Sequence, residues 1–95
     1  MEDKKIIRGK LLAFLRYVHP ETAEESTIVG TYYQYHEPDT LLRELEYLVD
    51  KGYVTRTEKP HPYRERRRVR LYKIAPLGID LQDGTTEDPG VTVVD

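Results

Sequence analysis

Between residues 3 and 18 the apolar positions Ile7, Leu11, Phe14, Leu15 and Val18 recur at three- and four-residue steps, with Lys4, Lys5, Arg8, Lys10 and Arg16 mostly between them. That period predicts an amphipathic helix with one buried stripe. His19-Pro20 ends it, because proline disfavours helical geometry in the residue before it. Thr22-Ala23-Glu24-Glu25 then reads as a capping box, the threonine side chain accepting from the backbone at Glu25 and the glutamate reaching back. It opens a second, shorter helix whose buried positions are expected at Ile28, Val29, Tyr32 and Tyr33. Gly30 and the β-branched residues and tyrosines there lower its intrinsic helical preference.

His36-Glu37-Pro38-Asp39 is a turn and a helix start, with proline suited to the first helical position and aspartate favourable in the first turn. Leu41, Leu42, Leu45, Leu48 and Val49 give the clearest helical period in the chain, so a third helix is predicted over 38–51. Gly52 stands where a left-handed terminating residue belongs. The chemistry then changes to β-branched and aromatic residues over 53–57 and again over 68–74. Between these runs, Pro60 and Pro62 cannot donate to a ladder, which predicts an antiparallel hairpin with a long, solvated tip. Residues 76–81 fit one short turn of helix packed back on the core. Glycine, proline, threonine and acids dominate from 83 to 95, so the folded domain is expected over 1–82 and a loose acidic tail over 83–95, with Val91 to Val94 as an added strand.

Ninety-five residues suit one compact unit and no second core. A composition of 38% hydrophobic and 34% charged residues, with a mean hydropathy of −0.69, is that of a globular chain. No apolar run approaches the roughly 18 residues needed to span a bilayer. Met1-Glu2-Asp3-Lys4-Lys5 lacks the apolar stretch of a signal peptide, so a cytoplasmic chain with no membrane partner is expected. The absence of cysteine excludes disulfide staples, thiolate metal sites and cysteine nucleophiles.

A net charge of −2 hides a strong segregation. Residues 1–20 carry +3, residues 21–50 carry −7, residues 51–73 carry +7 and residues 74–95 carry −5. The predicted hairpin is therefore basic and the helices before it are acidic.

Three helices followed by a two-stranded antiparallel hairpin is the order of a winged helix-turn-helix, an α+β fold. Leu45-x-x-Leu48-x-x-x-Gly52-Tyr53-Val54 buries a helix, turns the chain and enters a sheet. In this it resembles winged-helix transcriptional regulators of the ArsR-like and PadR-like kind. Ile74-Ala75-Pro76-Leu77-Gly78-Ile79-Asp80 is similar to the close of the wing strand in such proteins, where threonine is common at the place of Ala75. Small winged-helix proteins of Mu-like prophages are similar too, down to Pro89-Gly90-Val91. The resemblance covers roughly residues 5–81 and implies either a DNA reader or a protein adapter, because the scaffold hosts both.

For a DNA reader the third helix enters the major groove and the wing touches the backbone or minor groove. Thr40, Arg43, Glu44 and Tyr47 are the residues expected to face away from the apolar stripe, and only Arg43 is a strong donor to base edges or phosphate. Glu37, Asp39, Glu44, Glu46 and Asp50 lie on or beside that helix and would repel phosphate. Arg56, Lys59, Arg64, Arg66, Arg67, Arg68 and Arg70 concentrate charge on the wing, where each phosphate neutralised releases a counterion. They can instead pair with the acidic helix of the same molecule or of a dimer mate. Thr40, Arg43 and Tyr47 are thus candidate groove contacts, and Arg56, Lys59, Tyr63, Arg64, Arg66, Arg67 and Arg68 candidate wing contacts to double-stranded DNA. Tyr63 on the wing tip has little core to join, which suits a contact to a nucleic acid or another partner, whereas Tyr32, Tyr33 and Tyr35 suit core or interface.

His19, His36 and His61 fall in separate loops or helix ends without metal-site spacing, so no metal or other cofactor is expected, although some ArsR-like regulators sense metals. Ser26 is the one serine and no glycine-rich phosphate loop is present, which leaves no catalytic constellation. A homodimer joined through helix one or the C-terminal tail would match two-fold half-sites. A protein–protein interaction module using the acidic helix and basic wing is the alternative.

Overall fold

The structure, a computed structural model, describes residues 3–94. Met1, Glu2 and Asp95 lie outside the described residues. Helix α1, Lys4–Val18, is capped by Asp3, whose carboxylate accepts from the Lys5 amide at 2.9 Å. It buries Ile7, Leu11, Leu12 and Leu15 completely, with Phe14 and Val18 packed at the edge. The helix stops at His19, which takes extended backbone before a cis bond to Pro20.

The expected capping box at Thr22 does not form. Ala23–Glu24 is instead a short strand, β1, and helix α2 spans Glu25–Tyr32 with Glu24 at its N-cap and no side-chain cap bond. The backbone there pairs with a later strand, and the carboxylate of Glu25 is drawn away from the helix end by the hydroxyl of Tyr72, 2.9 Å from it. Ile28 is the buried residue of α2, whereas Tyr33 is exposed.

Helix α3, Pro38–Asp50, has proline in its first turn and buries Leu41, Glu44, Leu45 and Leu48. Gly52 ends the turn after it with φ of +83°, a conformation that L side chains rarely adopt. Strands β2, Val54–Pro60, and β3, Arg68–Ile74, then form the antiparallel hairpin, in register from Val54 opposite Ile74 to Pro60 opposite Arg68. β1 adds to the other side of β3, giving the order β1-β3-β2. Helix α4, Pro76–Gln82, follows where a short turn of helix was expected. Among the described residues the fold thus has four helices and three strands, α4 being the expected short helix after the hairpin and β1 the addition. The core lies between α1, α3, α4 and the inner half of the sheet, and Tyr72 is its largest fully buried side chain.

The segment after α4 was expected to be loose. Residues 88–94 are bonded to the body of the fold, Gly90 and Thr92 to α1, and 91–94 form no strand. Val91 is buried, the Thr92 amide donates to the Lys5 carbonyl at 3.0 Å, and Gln82 Nε2 donates to the Val94 carbonyl at 2.7 Å. Gly9 allows this crossing. A Cβ there would lie 1.7 Å from the Thr92 carbonyl oxygen.

Candidate nucleic-acid interface

Two clusters of charge flank α3. On its α1 side Glu44 is 1% exposed, and its Oε1 accepts from Arg8 Nε at 2.8 Å. The Arg8 guanidinium also donates to the Gly90 carbonyl at 3.0 Å and stacks 3.5 Å from the centroid of the Tyr47 ring. Glu44 and Tyr47 therefore do not face outward as expected. A hydrophobic stripe marks one buried face of a helix, but α3 is covered on a second side by α1 and the C-terminal segment, and that side is polar. The same segment is anchored at Asp88, whose carboxylate accepts from the Tyr53 hydroxyl and the Gly90 amide and lies 3.5 Å from Lys51 Nζ. These contacts, the Tyr53 bond first, hold the Asp88 carboxyl below its ordinary value. Burial, reinforced by Asp88, pushes the Tyr53 hydroxyl up to about 12.

The exposed stripe of α3 consists of Asp39, Arg43, Glu46 and Asp50, one base among three acids. Arg43 makes no ion pair among the described residues. Thr40 is half-buried in a shallow cleft with Tyr33, Gln34, Tyr35, His36 and Glu37. Thr40 and Arg43 thus share the outward N-terminal part of α3, and Tyr47 does not join them.

On the wing the cations divide into two groups. Arg56 pairs with Glu46 of α3, and that hydrogen bond is the main reason its guanidinium holds its proton more strongly than usual. Arg68 pairs with Glu58 at 3.0 Å, and Arg70 lies 3.5 Å from Glu58 and 3.6 Å from Glu25. Glu25 also receives the Tyr72 hydroxyl, which burial first and this carboxylate second push up to about 12. In contrast, Lys59, Arg64, Arg66 and Arg67 are exposed and make no ion pair among the described residues. They surround a folded tip in which the His61 amide donates to the Arg67 carbonyl, the Tyr63 amide to His61 Nδ1, and the His61 and Tyr63 rings meet edge to face. Tyr63 is 90% exposed. The hairpin thus gathers Lys59, Tyr63, Arg64, Arg66 and Arg67 at one free end, while Arg56 and Arg68 are committed to carboxylates. Glu46, Glu58 and Glu25, none of them among the expected contacts, decide that division.

Among the described residues no group of three or more His, Asp or Glu side chains is placed to hold a metal ion, and no helix is long and apolar enough to cross a membrane. No protein-family model matches the chain, and no curated protein matches it. Among solved structures the chain is similar to Bacillus subtilis PadR in complex with operator DNA, with a TM-score of 0.63 and 18% identity over 94% of this chain and 54% of that one. The likeness establishes the PadR-like winged-helix fold expected from the order of elements. The chain spans about half the length of that protein.

Proposed function

We propose that this chain is a winged-helix DNA-binding protein that regulates transcription in the cytoplasm, a binding role rather than a catalytic one. The observation that carries the reading is the wing tip. Four cations without carboxylate partners among the described residues project there beside an exposed tyrosine, on a fold whose solved neighbour PadR was captured with operator DNA. Lys59, Arg64, Arg66 and Arg67 would meet phosphates, Tyr63 would stack or donate to the backbone, and Arg43 with Thr40 would meet the major groove. The acidic remainder of the α3 stripe limits how closely the helix approaches phosphate, which leaves the wing to supply most of the affinity.

A homodimer would match paired half-sites, with the composite surface of α1 and the C-terminal segment as its contact. Ile6 and Val93 on that surface are both exposed. Titration of duplex DNA at increasing salt tests the DNA reading. Four tip contacts give a slope of log affinity against log salt of about −3 to −4. Absence of binding at about 50 mM salt, where phosphate contacts are strongest, would overturn it. Sedimentation of the protein with and without DNA tests the dimer, which a monomer in both states would exclude.

A further inference from the structure

Glu58 lies on the same side of the sheet as the buried Val54, Tyr72 and Ile74, as strand alternation requires. The register puts it directly opposite Arg70 and diagonal to Arg68. Its carboxylate is shared by both guanidinium groups, at 3.0 Å from Arg68 Nε and 3.5 Å from Arg70 Nε. One anion held between two arginines is how proteins commonly grip a phosphate. The three side chains also line an open cleft of about 590 Å³, with His61, Arg66 and Arg67 on its wing side and Glu24, Glu25 and Ser26 on its α2 side. Arg66 and Arg67 bring to this cleft two cations that no carboxylate neutralises among the described residues.

We propose that the cleft is a seat for a backbone phosphate of DNA and that Glu58 occupies it in the free protein. The proposal rests on the DNA-binding reading above and adds to it a residue that weakens binding. Arg68, Arg70 and Glu58 are well exposed, with side-chain exposures of 62%, 50% and 40%, so the carboxylate exchanges readily for a stronger anion. A phosphate entering on the wing side would meet Arg66, Arg67, Arg68 and Arg70 together. Glu24 and Glu25 keep it off the α2 wall. Glu25 remains engaged by the Tyr72 hydroxyl, so its own place in the fold does not depend on the exchange. Glu58 thereby sets the salt window in which the inner arginines contribute.

The test is Glu58→Gln, titrated with duplex DNA between about 50 and 200 mM salt, where counterion release is readily measured. The variant should bind about three- to tenfold tighter at the lower salt and show a salt slope steeper by about 1 to 2, the signature of one or two additional phosphate contacts. The same substitution in a chain already carrying Arg68→Gln and Arg70→Gln should gain almost nothing. A wild-type chain that binds while Glu58→Gln leaves affinity and slope unchanged overturns the phosphate seat but not the DNA reading. A gain that persists without Arg68 and Arg70 also overturns it, by showing only the long-range loss of one negative charge. Wild-type protein without affinity at about 50 mM salt overturns the DNA reading, and the seat with it.

Discussion

The seam between α1 and α3 and the inner face of the wing both place an arginine against a glutamate, but they do so in opposite surroundings. In the seam, the Arg8 side chain is 15% exposed and Glu44 2%, and the Arg8 guanidinium also donates to a carbonyl and stacks on an aromatic face. On the wing, Arg68 is 62% exposed and shares its partner with Arg70. Burial makes the first pair part of the fold, because either member alone would be a charge stranded away from water. Exposure makes the second replaceable, since water or another anion can take either place. One kind of contact thus anchors a structure at one site and leaves a charged surface adjustable at the other.

The comparison is broken most severely at Glu44. Glu44→Ala leaves Arg8 without its carboxylate under the C-terminal segment and should cost about 3 kcal/mol or more, measured by urea unfolding. A loss within about 0.5 kcal/mol would show that the seam is as replaceable as the wing.

An intermediate effect is expected from pH at Asp88 and Tyr53. Asp88 has a lowered carboxyl in the fold, so its contribution is complete above the unfolded value near 3.8 and disappears as pH falls through the lowered folded value. Tyr53 is raised to about 12, so its contribution is complete below the ordinary 10.0 and disappears as pH rises between 10.0 and about 12. Unfolding measured across both windows should show these losses in wild type. The acid-side loss should be smaller in Asp88→Asn, and an identical acid profile in that variant would remove Asp88 from the anchor.

The smallest stability change is expected at the wing. Glu46→Gln should alter unfolding by less than about 1 kcal/mol while freeing Arg56 and removing a carboxylate from the exposed stripe of α3. On the DNA-binding reading proposed above its affinity for duplex should rise modestly, and a destabilisation as large as that of Glu44→Ala would erase the distinction between the two regions.

Much of this architecture is legible in residue order. The spacing of Leu41, Leu45 and Leu48 specifies α3, Gly52 marks its end, and the β-branched and aromatic run at 68–74 marks the strand that lies between β1 and β2. Strand β1 is not legible, because two residues carry no period and Thr22 three positions before Glu25 imitates a helix cap. Glu44 carried a usable signal. It stands three residues after Leu41 and four before Leu48, so it borders the apolar stripe, where a carboxylate calls for a buried cation. The division among the wing cations is hidden for a different reason. Segment sums of +7 and −7 give the charge available, but pairing depends on the hairpin register, which puts Glu58 across from Arg70 and leaves Arg66 and Arg67 beyond it. The candidate site was therefore visible as a composition and not as a geometry.

The C-terminal segment has its anchors on separate parts of the chain: Thr92 on Lys5, Gly90 on Arg8, Asp88 on Tyr53 and Lys51. None of these makes a complete landing place until α1 has met α3 and the turn at Gly52 has closed. The segment is thus a clasp that completes assembly, and a local opening there can leave the wing and its cations in place. Hydrogen exchange at Thr92 would report the clasp alone, while exchange at the β2–β3 ladder would report the body that it fastens.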